Sequence, residues 1–489
     1  MAVPGDPDPV SDVLDSAEAG GRAIRGAGMR VGGYVLSLTI ALVAVPFMIR
    51  HLGAVDYGYY VTVSSIVFII GGLTEAGLTA LGVREYSTLE GDARQHFQRS
   101  LIGLRLVLTA VGVVLAAAIT WVTGADREVV TGTLIAGLGL LVALSQQTYA
   151  IPLTAELRIG WVTVLDVLKQ AALSSLFILA VVLGAGLAAF FWASVVAGAV
   201  MLVATLLLVR GHAPLIPSRD VSAWGRVLKE TLPYAAAAAV GLIYFRIAVI
   251  LMSYVSTAEE TGIFSAAFRI VEVVATLPLM LVLTVFPILA RAARDDEERL
   301  SYALQRVFEV SLIIGGLLAI GLAVAAPFAI EVVAGPGFED SVEVLRLLSL
   351  ALVTSFLAQT WSYGLLSLKR FRAILIVNAI AALVAIAGTL ALAGPMGANG
   401  AAIATVAAEA VLSIAAAVFL GRHSSALSPD LRIIPKVCLA AGLAVGAALV
   451  VPAPPLALAA LSGLIYVGVV FALRAVPPEL VQALRERGA

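Results

Sequence analysis

The sequence predicts an all-α integral membrane protein of about fourteen transmembrane helices, and three observations carry that reading. Of 489 residues, 61% are hydrophobic and 13% charged, with a mean hydropathy of +1.03, whereas soluble domains carry about a quarter charged residues. Apolar segments long enough to cross a hydrocarbon core of ~30 Å follow one another from Met29 with little between them. Charge also alternates from one connecting loop to the next, basic and then acidic. Once the apolar segments are set aside, no soluble domain of useful size remains.

Residues 1–21 are rich in Pro and Asp and contain no apolar run, which predicts a disordered tail; neither a basic n-region nor a cleavable apolar segment marks a secretory signal. The spans then fall near 29–49, 58–80, 100–122, 129–150, 160–182 and 187–209. After a linker at 210–231, which contains Pro214 and Pro217, they continue near 232–254, 262–290, 305–330, 344–366, 372–393 and 398–420. Two more lie near 434–451 and 456–473, within 421–474. The VPAPP interruption and the very short 183–187 connection leave counts of twelve or thirteen open. Beyond the last span, PPELVQALRER places Leu480, Val481 and Leu484 on one face, predicting a short interfacial helix within 475–489.

Loop charge sets the orientation. Arg22, Arg25, Arg84, Arg94, Arg158, Arg219, Arg291, Lys369, Arg370 and Arg422 fall in loops on one side, whereas the other side has only Arg50 and Arg127 beside the acidic Asp56, Glu259, Glu260, Glu339 and Asp340. By the positive-inside rule both termini are cytoplasmic and the number of spans is even. The two halves also resemble each other. HLGAVDYGYY after span 1 and VSTAEETGIF after span 7 align Asp56 with Glu260 and Gly58 with Gly262. Both turns enter spans running in the same direction, as expected of parallel repeats related by an axis along the membrane normal.

Chemistry concentrates in a few intramembrane charges. Arg246 lies in span 7 and Arg269 in span 8, each about eight residues or ~12 Å from the acidic turn at Glu259-Glu260. Glu272 lies one turn deeper than Arg269. Charges at this depth are costly unless they face water, protein or a partner. A cationic pair at matched depth therefore points to an anion pathway, against the alternative that Arg269 and Glu272 merely neutralise each other at i,i+3. Arg105 in span 3 reads as a cavity or snorkelling residue. Asp166 and Lys169 in span 5 read as an i,i+3 pair, with Lys169 also a candidate for the cationic cavity and Asp166 for ion coupling. Glu75 is expected to be solvated near the inner end of span 2. Glu409 lies mid-span with no basic residue on its own helix, so it is protonated, paired to another helix, or an ion-coupling carboxylate. Pro46, Pro278 and Pro287 are expected to bend spans 1 and 8.

Other chemistry is excluded. There is no P-loop, HExxH or Cys/His cluster; Cys438 stands alone, and His51, His96, His212 and His423 lie in separate loops. No cofactor, metal or nucleic-acid partner is expected. Gly184-Ala-Gly186, Gly315-Gly316 and Gly397/Gly400 read as tight turns or close helix contacts. The outer loops, of which 331–343 is the longest, are too short for the catalytic loop of a glycan polymerase or a lipid-dependent glycosyltransferase.

The chain resembles the polysaccharide-transport branch (Wzx-type flippases) of the multidrug/oligosaccharidyl-lipid/polysaccharide exporter superfamily. The resemblance rests on HLGAVDYGYY, EAGLTALGVREYS, FRIAVILMSYVSTAEETGIFSAAFRI with FPILAR, VVAGPGFEDSVEVLRLLSL with LLSLKRFRAILIVNAI, and GANGAAIATVAAEAVLS. It implies two pseudo-symmetric six-helix lobes, 22–209 and 232–420, plus two C-terminal helices. It also implies a cationic cavity and transfer of polyprenyl-diphosphate-linked oligosaccharide across the cytoplasmic membrane by alternating access. A lipid-linked glycan, the bilayer, polysaccharide-assembly proteins and a coupling H+ or Na+ are the implied partners. Arg246, Arg269, Arg105 and Lys169 are then the expected substrate ligands, and Glu272, Glu409 and Asp166 the candidates for ion coupling. Members commonly carry Arg-x-Asp where this chain has Arg246-Ile247-Ala248, which leaves Arg246 less neutralised. The rival within the superfamily is a cation-coupled multidrug antiporter. Such proteins often place an acidic residue in the first lobe, yet span 1 has none and span 2 only Glu75.

Overall fold

The computed structural model describes residues 19–75, 77–211 and 214–476; the N-terminal tail up to residue 18 and the C-terminal helix expected around Leu480 lie outside them. Fifteen α-helices and no strand occur among the described residues. In order they are α1 (Ala19–Glu75), α2 (Leu78–Thr88), α3 (Gly91–Val122), α4 (Arg127–Tyr149), α5 (Ile151–Ala155), α6 (Ile159–Val182) and α7 (Leu187–Val209). Then come α8 (Val221–Val255), α9 (Ala258–Val274), α10 (Thr276–Asp295), α11 (Glu297–Val333) and α12 (Ser341–Ser367). The last are α13 (Phe371–His423), α14 (Ile434–Val450) and α15 (Pro455–Ala472).

Eleven helical segments are long and apolar enough to cross a membrane, and two of these are double. α1 is interrupted at Gly53 (φ 69°) and α13 at Gly397 (φ 57°), left-handed conformations that glycine adopts without a Cβ penalty. With α8 as a further pass, the described residues make fourteen crossings. The chain is a multi-pass membrane protein.

The described residues fall into two compact units, one drawn from Met1–His51 and Ile66–Ala239 and the other from Leu52–Ser65 and Val240–Ala489. In the first unit, Met29 lies against Gly160 and His51 bonds the Ala185 carbonyl at 2.9 Å, so the first pass runs alongside α6. Beyond Gly53 the chain returns: Ile70 meets Gly112, and Glu75 meets Arg105. Small residues bring these helices close. A side chain at Gly137 would strike Val113, and one at Gly139 would strike Ser194. The second pass does not run straight to residue 80 as expected. It ends at Glu75, turns through Gly77 (φ 81°) and resumes as α2.

The linker is docked on the first unit. Ser218 N donates to Arg99 O at 2.8 Å, Trp224 Nε1 to Ser100 O at 3.0 Å and Tyr149 Oη to Leu215 O at 2.7 Å. Asp220 then accepts from the backbone N–H groups of Ser222 and Ala223 at the start of α8. Its carboxyl is held down to about 2, chiefly by the hydrogen bond from the Ser222 hydroxyl.

In the second unit the predicted repeat has a physical counterpart. A Cβ on Gly58 would lie 1.9 Å from Ala258 O, and one on Gly262 would lie 1.9 Å from Ala54 O. The two aligned glycines therefore let the starts of two passes cross backbone to backbone. Glu260, in the turn predicted to be acidic, accepts from Ala398 N at 2.7 Å and so caps the helix resuming after Gly397. α9 ends at Val274, the residue whose carbonyl would otherwise bond the missing N–H of Pro278, and α10 continues the pass. The C-terminal pair α14–α15 packs on α11, where Tyr466 lies over Gly316 and donates to Ile313 O at 3.1 Å.

Candidate substrate site

Arg246 on α8 and Arg269 and Glu272 on α9 come together in the second unit. Arg246 Nη2 donates to Glu272 Oε1 at 2.7 Å, and Arg269 Nη1 to Glu272 Oε2 at 2.8 Å. One carboxylate thus bridges two guanidinium groups, and the trio keeps one net positive charge. Arg269 remains 34% exposed, against 16% for Arg246 and for Glu272. The i,i+3 pair foreseen on α9 is present, but Glu272 is shared with the neighbouring helix. Tyr57, buried in the segment after Gly53, lies within electrostatic reach of all three. Nothing in the local sequence pointed to it.

A second polar group joins α8, α12 and α13. Tyr244 Oη donates to Glu409 Oε1 at 2.6 Å and Ser355 Oγ to Glu409 Oε2 at 2.8 Å. Glu409 is therefore held by hydroxyl groups on two other helices, neither of which was legible from its own helix.

The first unit handles its charges differently. Arg105 is buried, and its guanidinium donates to Thr148 Oγ1 at 3.1 Å, to Thr79 Oγ1 at 2.7 Å, to the Thr74 carbonyl at 3.4 Å and to Glu75. All three guanidinium nitrogens are engaged across the break between α1 and α2. Glu75, expected to be solvated, stays 32% exposed and is also the counter-ion of Arg105. Asp166 pairs with Arg30 at 2.9 Å rather than with Lys169, which is half-buried. Arg30 and Asp166 border a cavity of about 470 Å³ that is also lined by Thr79, Gln146, Gln147 and Thr154. Its wall mixes these amides and hydroxyls with the apolar side chains of Ala150, Ile159 and Val162. Among the described residues no three His, Cys, Asp or Glu side chains are grouped to hold a metal ion.

Solved structures that share this fold are named as a flippase and as transporters. The lipid II flippase MurJ in an inward closed conformation matches with a TM-score of 0.74 at 15% identity, covering 92% of this chain and 99% of that one. An inward-facing multidrug-resistance MATE transporter of the MOP superfamily matches at 0.62 and 16%, covering 80% and 98%. A MOP-superfamily transporter from Pyrococcus furiosus matches at 0.51 and 16%, covering 87% and 100%. No curated protein sequence matches. The family model described as polysaccharide biosynthesis protein matches residues 23–293, more than half of the chain. The chain belongs to that family.

Proposed function

We propose that the protein is a flippase that carries a polyprenyl-diphosphate-linked oligosaccharide across the cytoplasmic membrane by alternating access, with both termini cytoplasmic. The observation that carries this reading is the Arg246–Glu272–Arg269 trio. A diphosphate cannot cross hydrocarbon unaided, and two guanidinium groups that share one carboxylate carry the excess positive charge to attract it. Arg suits this task because its planar fork donates in pairs to phosphate oxygens. The amides and hydroxyls in the mixed wall of the first unit's cavity support a glycan substrate, since sugar hydroxyls need such partners. Family membership and the likeness to a lipid II flippase support the same class of cargo. The protein is then a carrier and not an enzyme.

Coupling to H+ or Na+ is assigned to Glu409, with Glu272 and Asp166 as further carboxylates in the passes. Lys169 and Arg105 act at most indirectly: Lys169 by adding positive potential, Arg105 by holding its helix break. The rival reading, a multidrug antiporter, draws support from the MATE likeness, but a cationic trio repels the cationic drugs typical of such pumps.

The test is export in cells and binding of polyprenyl diphosphate by purified protein. Arg246→Ala is expected to reach normal membrane levels yet lose export and weaken binding roughly tenfold or more, and Arg246→Lys to recover only part. Normal export by Arg246→Ala overturns the site; export of a cationic dye in place of glycan favours the antiporter.

A further inference from the structure

A backbone turn occurs twice in the chain, once in each unit, with different side chains. Between α5 and α6, Leu157 has φ 56°, and Arg158 N bonds Leu153 O at 2.7 Å. Between α12 and α13, Lys369 has φ 56°, and Arg370 N bonds Leu365 O at 2.9 Å. Arg158 (φ −83°, ψ 43°) and Arg370 (φ −84°, ψ 55°) then open the next helix in nearly the same conformation. The superposed positions read Glu156-Leu157-Arg158-Ile159-Gly160 in the first copy and Leu368-Lys369-Arg370-Phe371-Arg372 in the second. In the first copy Arg158 has Glu156 within 3.9 Å. The second has lost that acid and gained two cations.

The second copy also borders a cavity of about 560 Å³. Arg422 and His423, at the end of α13, face the turn across it, and no carboxylate among the described residues lines it. Arg370 donates to His423 Nδ1, so this nitrogen is an acceptor and Nε2 is left to carry a donor proton. The cavity wall turns apolar toward Phe371 and Ile376. From there an exposed stripe continues up the helix through Ile380 and Leu383, the latter 65% exposed, as a lipid-facing side would be. Cations gathered at the foot of an exposed apolar stripe match the two ends of one molecule, a charged head and a hydrocarbon tail. Snorkelling alone needs no concavity and does not require the acid of the sister turn to be absent.

We infer that this cavity binds the phosphodiester headgroup of an anionic phospholipid from the leaflet on the basic face, with its acyl chains along Phe371, Ile376, Ile380 and Leu383. The site is separate from the Arg246 trio and does not depend on the flippase assignment; it rests only on the chain spanning a membrane. Three guanidinium groups supply paired donors to phosphate oxygens, and Lys369 adds a point charge. Membrane-surface cations are each worth roughly a fivefold gain in affinity for anionic lipid.

The experiment is lipid retention and thermal stabilisation of the purified full-length protein in detergent, titrated with phosphatidylglycerol, cardiolipin or phosphatidylcholine of matched chains. Inorganic phosphate and polyprenyl diphosphate form two further arms. Phosphatidylglycerol and cardiolipin are expected to be retained at least about tenfold better than phosphatidylcholine. Arg370→Gln/Arg372→Gln/Arg422→Gln should abolish that preference. Arg219→Gln/Arg226→Gln/Lys229→Gln, which removes as many cations from the linker, should leave it intact. Arg372→Gln alone should lower it roughly fivefold, which keeps the test open should the triple variant fail to fold. Equal loss in both triple variants, or no preference over phosphatidylcholine, overturns the site. Occupancy by inorganic phosphate without lipid, or by polyprenyl diphosphate in preference to phospholipid, overturns the assignment of its ligand.

Discussion

Arg105 and Arg246 are both arginines within apolar passes, and each has a glutamate partner, but their surroundings give them opposite roles. Arg105 has Glu75 as its counter-ion, three further oxygen acceptors and almost no exposure, while Glu75 also accepts from Thr79 and stays 32% exposed. Its charge is balanced and its donors make four hydrogen bonds. Arg246 shares Glu272 with Arg269, so the carboxylate is outnumbered and the group stays partly open. A pair of balanced charge ties the two sides of a helix break, whereas a trio with one excess cation has charge to offer a ligand. The difference is one of stoichiometry, not of residue type.

The largest effect expected from this comparison is on stability. Arg105→Ala leaves Glu75 without its counter-ion beside a new void and should cost about 3–5 kcal/mol, read as a large drop in thermal stability and membrane yield. Arg105→Leu combined with Glu75→Leu should restore much of it, because it removes both charges together. If Arg105→Ala is stable and only transport fails, the contrast between the two arginines collapses.

An intermediate effect is expected at the other cluster. Glu272→Gln removes the bridging charge and should cost about 1–2 kcal/mol of stability. Binding of polyprenyl diphosphate should tighten and become more sensitive to salt, because both guanidinium groups are released to the ligand. Weaker binding would mean that Glu272 positions the arginines rather than competing for them.

The smallest structural effect is expected at Glu409. Glu409→Gln keeps the shape and an acceptor for Tyr244, so stability should change by less than about 1 kcal/mol, whereas Glu409→Leu should lose about 1–3 kcal/mol. In proteoliposomes the Gln variant should nonetheless lose its response to an imposed pH gradient. Gradient-driven transport at the original rate removes Glu409 from the coupling step and leaves it a tie between helices.

The linear sequence determined the helical membrane class and pointed to about fourteen crossings, two sets of loops and a matched depth for Arg246 and Arg269. All of these follow from hydrophobicity and charge counted along the chain, which the bilayer reads directly. It also marked Gly58 and Gly262 as equivalent, and both prove to be places where backbones meet. Partner choice was decided only by the tertiary structure. Asp166 takes Arg30, 136 residues away, over Lys169 on its own helix; Glu409 takes Tyr244 across 165 residues; and Glu75 is drawn to Arg105 by a helix break at Gly77. Such pairings depend on the rotation of each helix about its axis and on separations of a few ångströms, set by packing many small residues together. Loop composition announced the cations around Lys369, but that they close on a cavity, and that their sister turn keeps its acid, required two distant segments to be folded into the same turn.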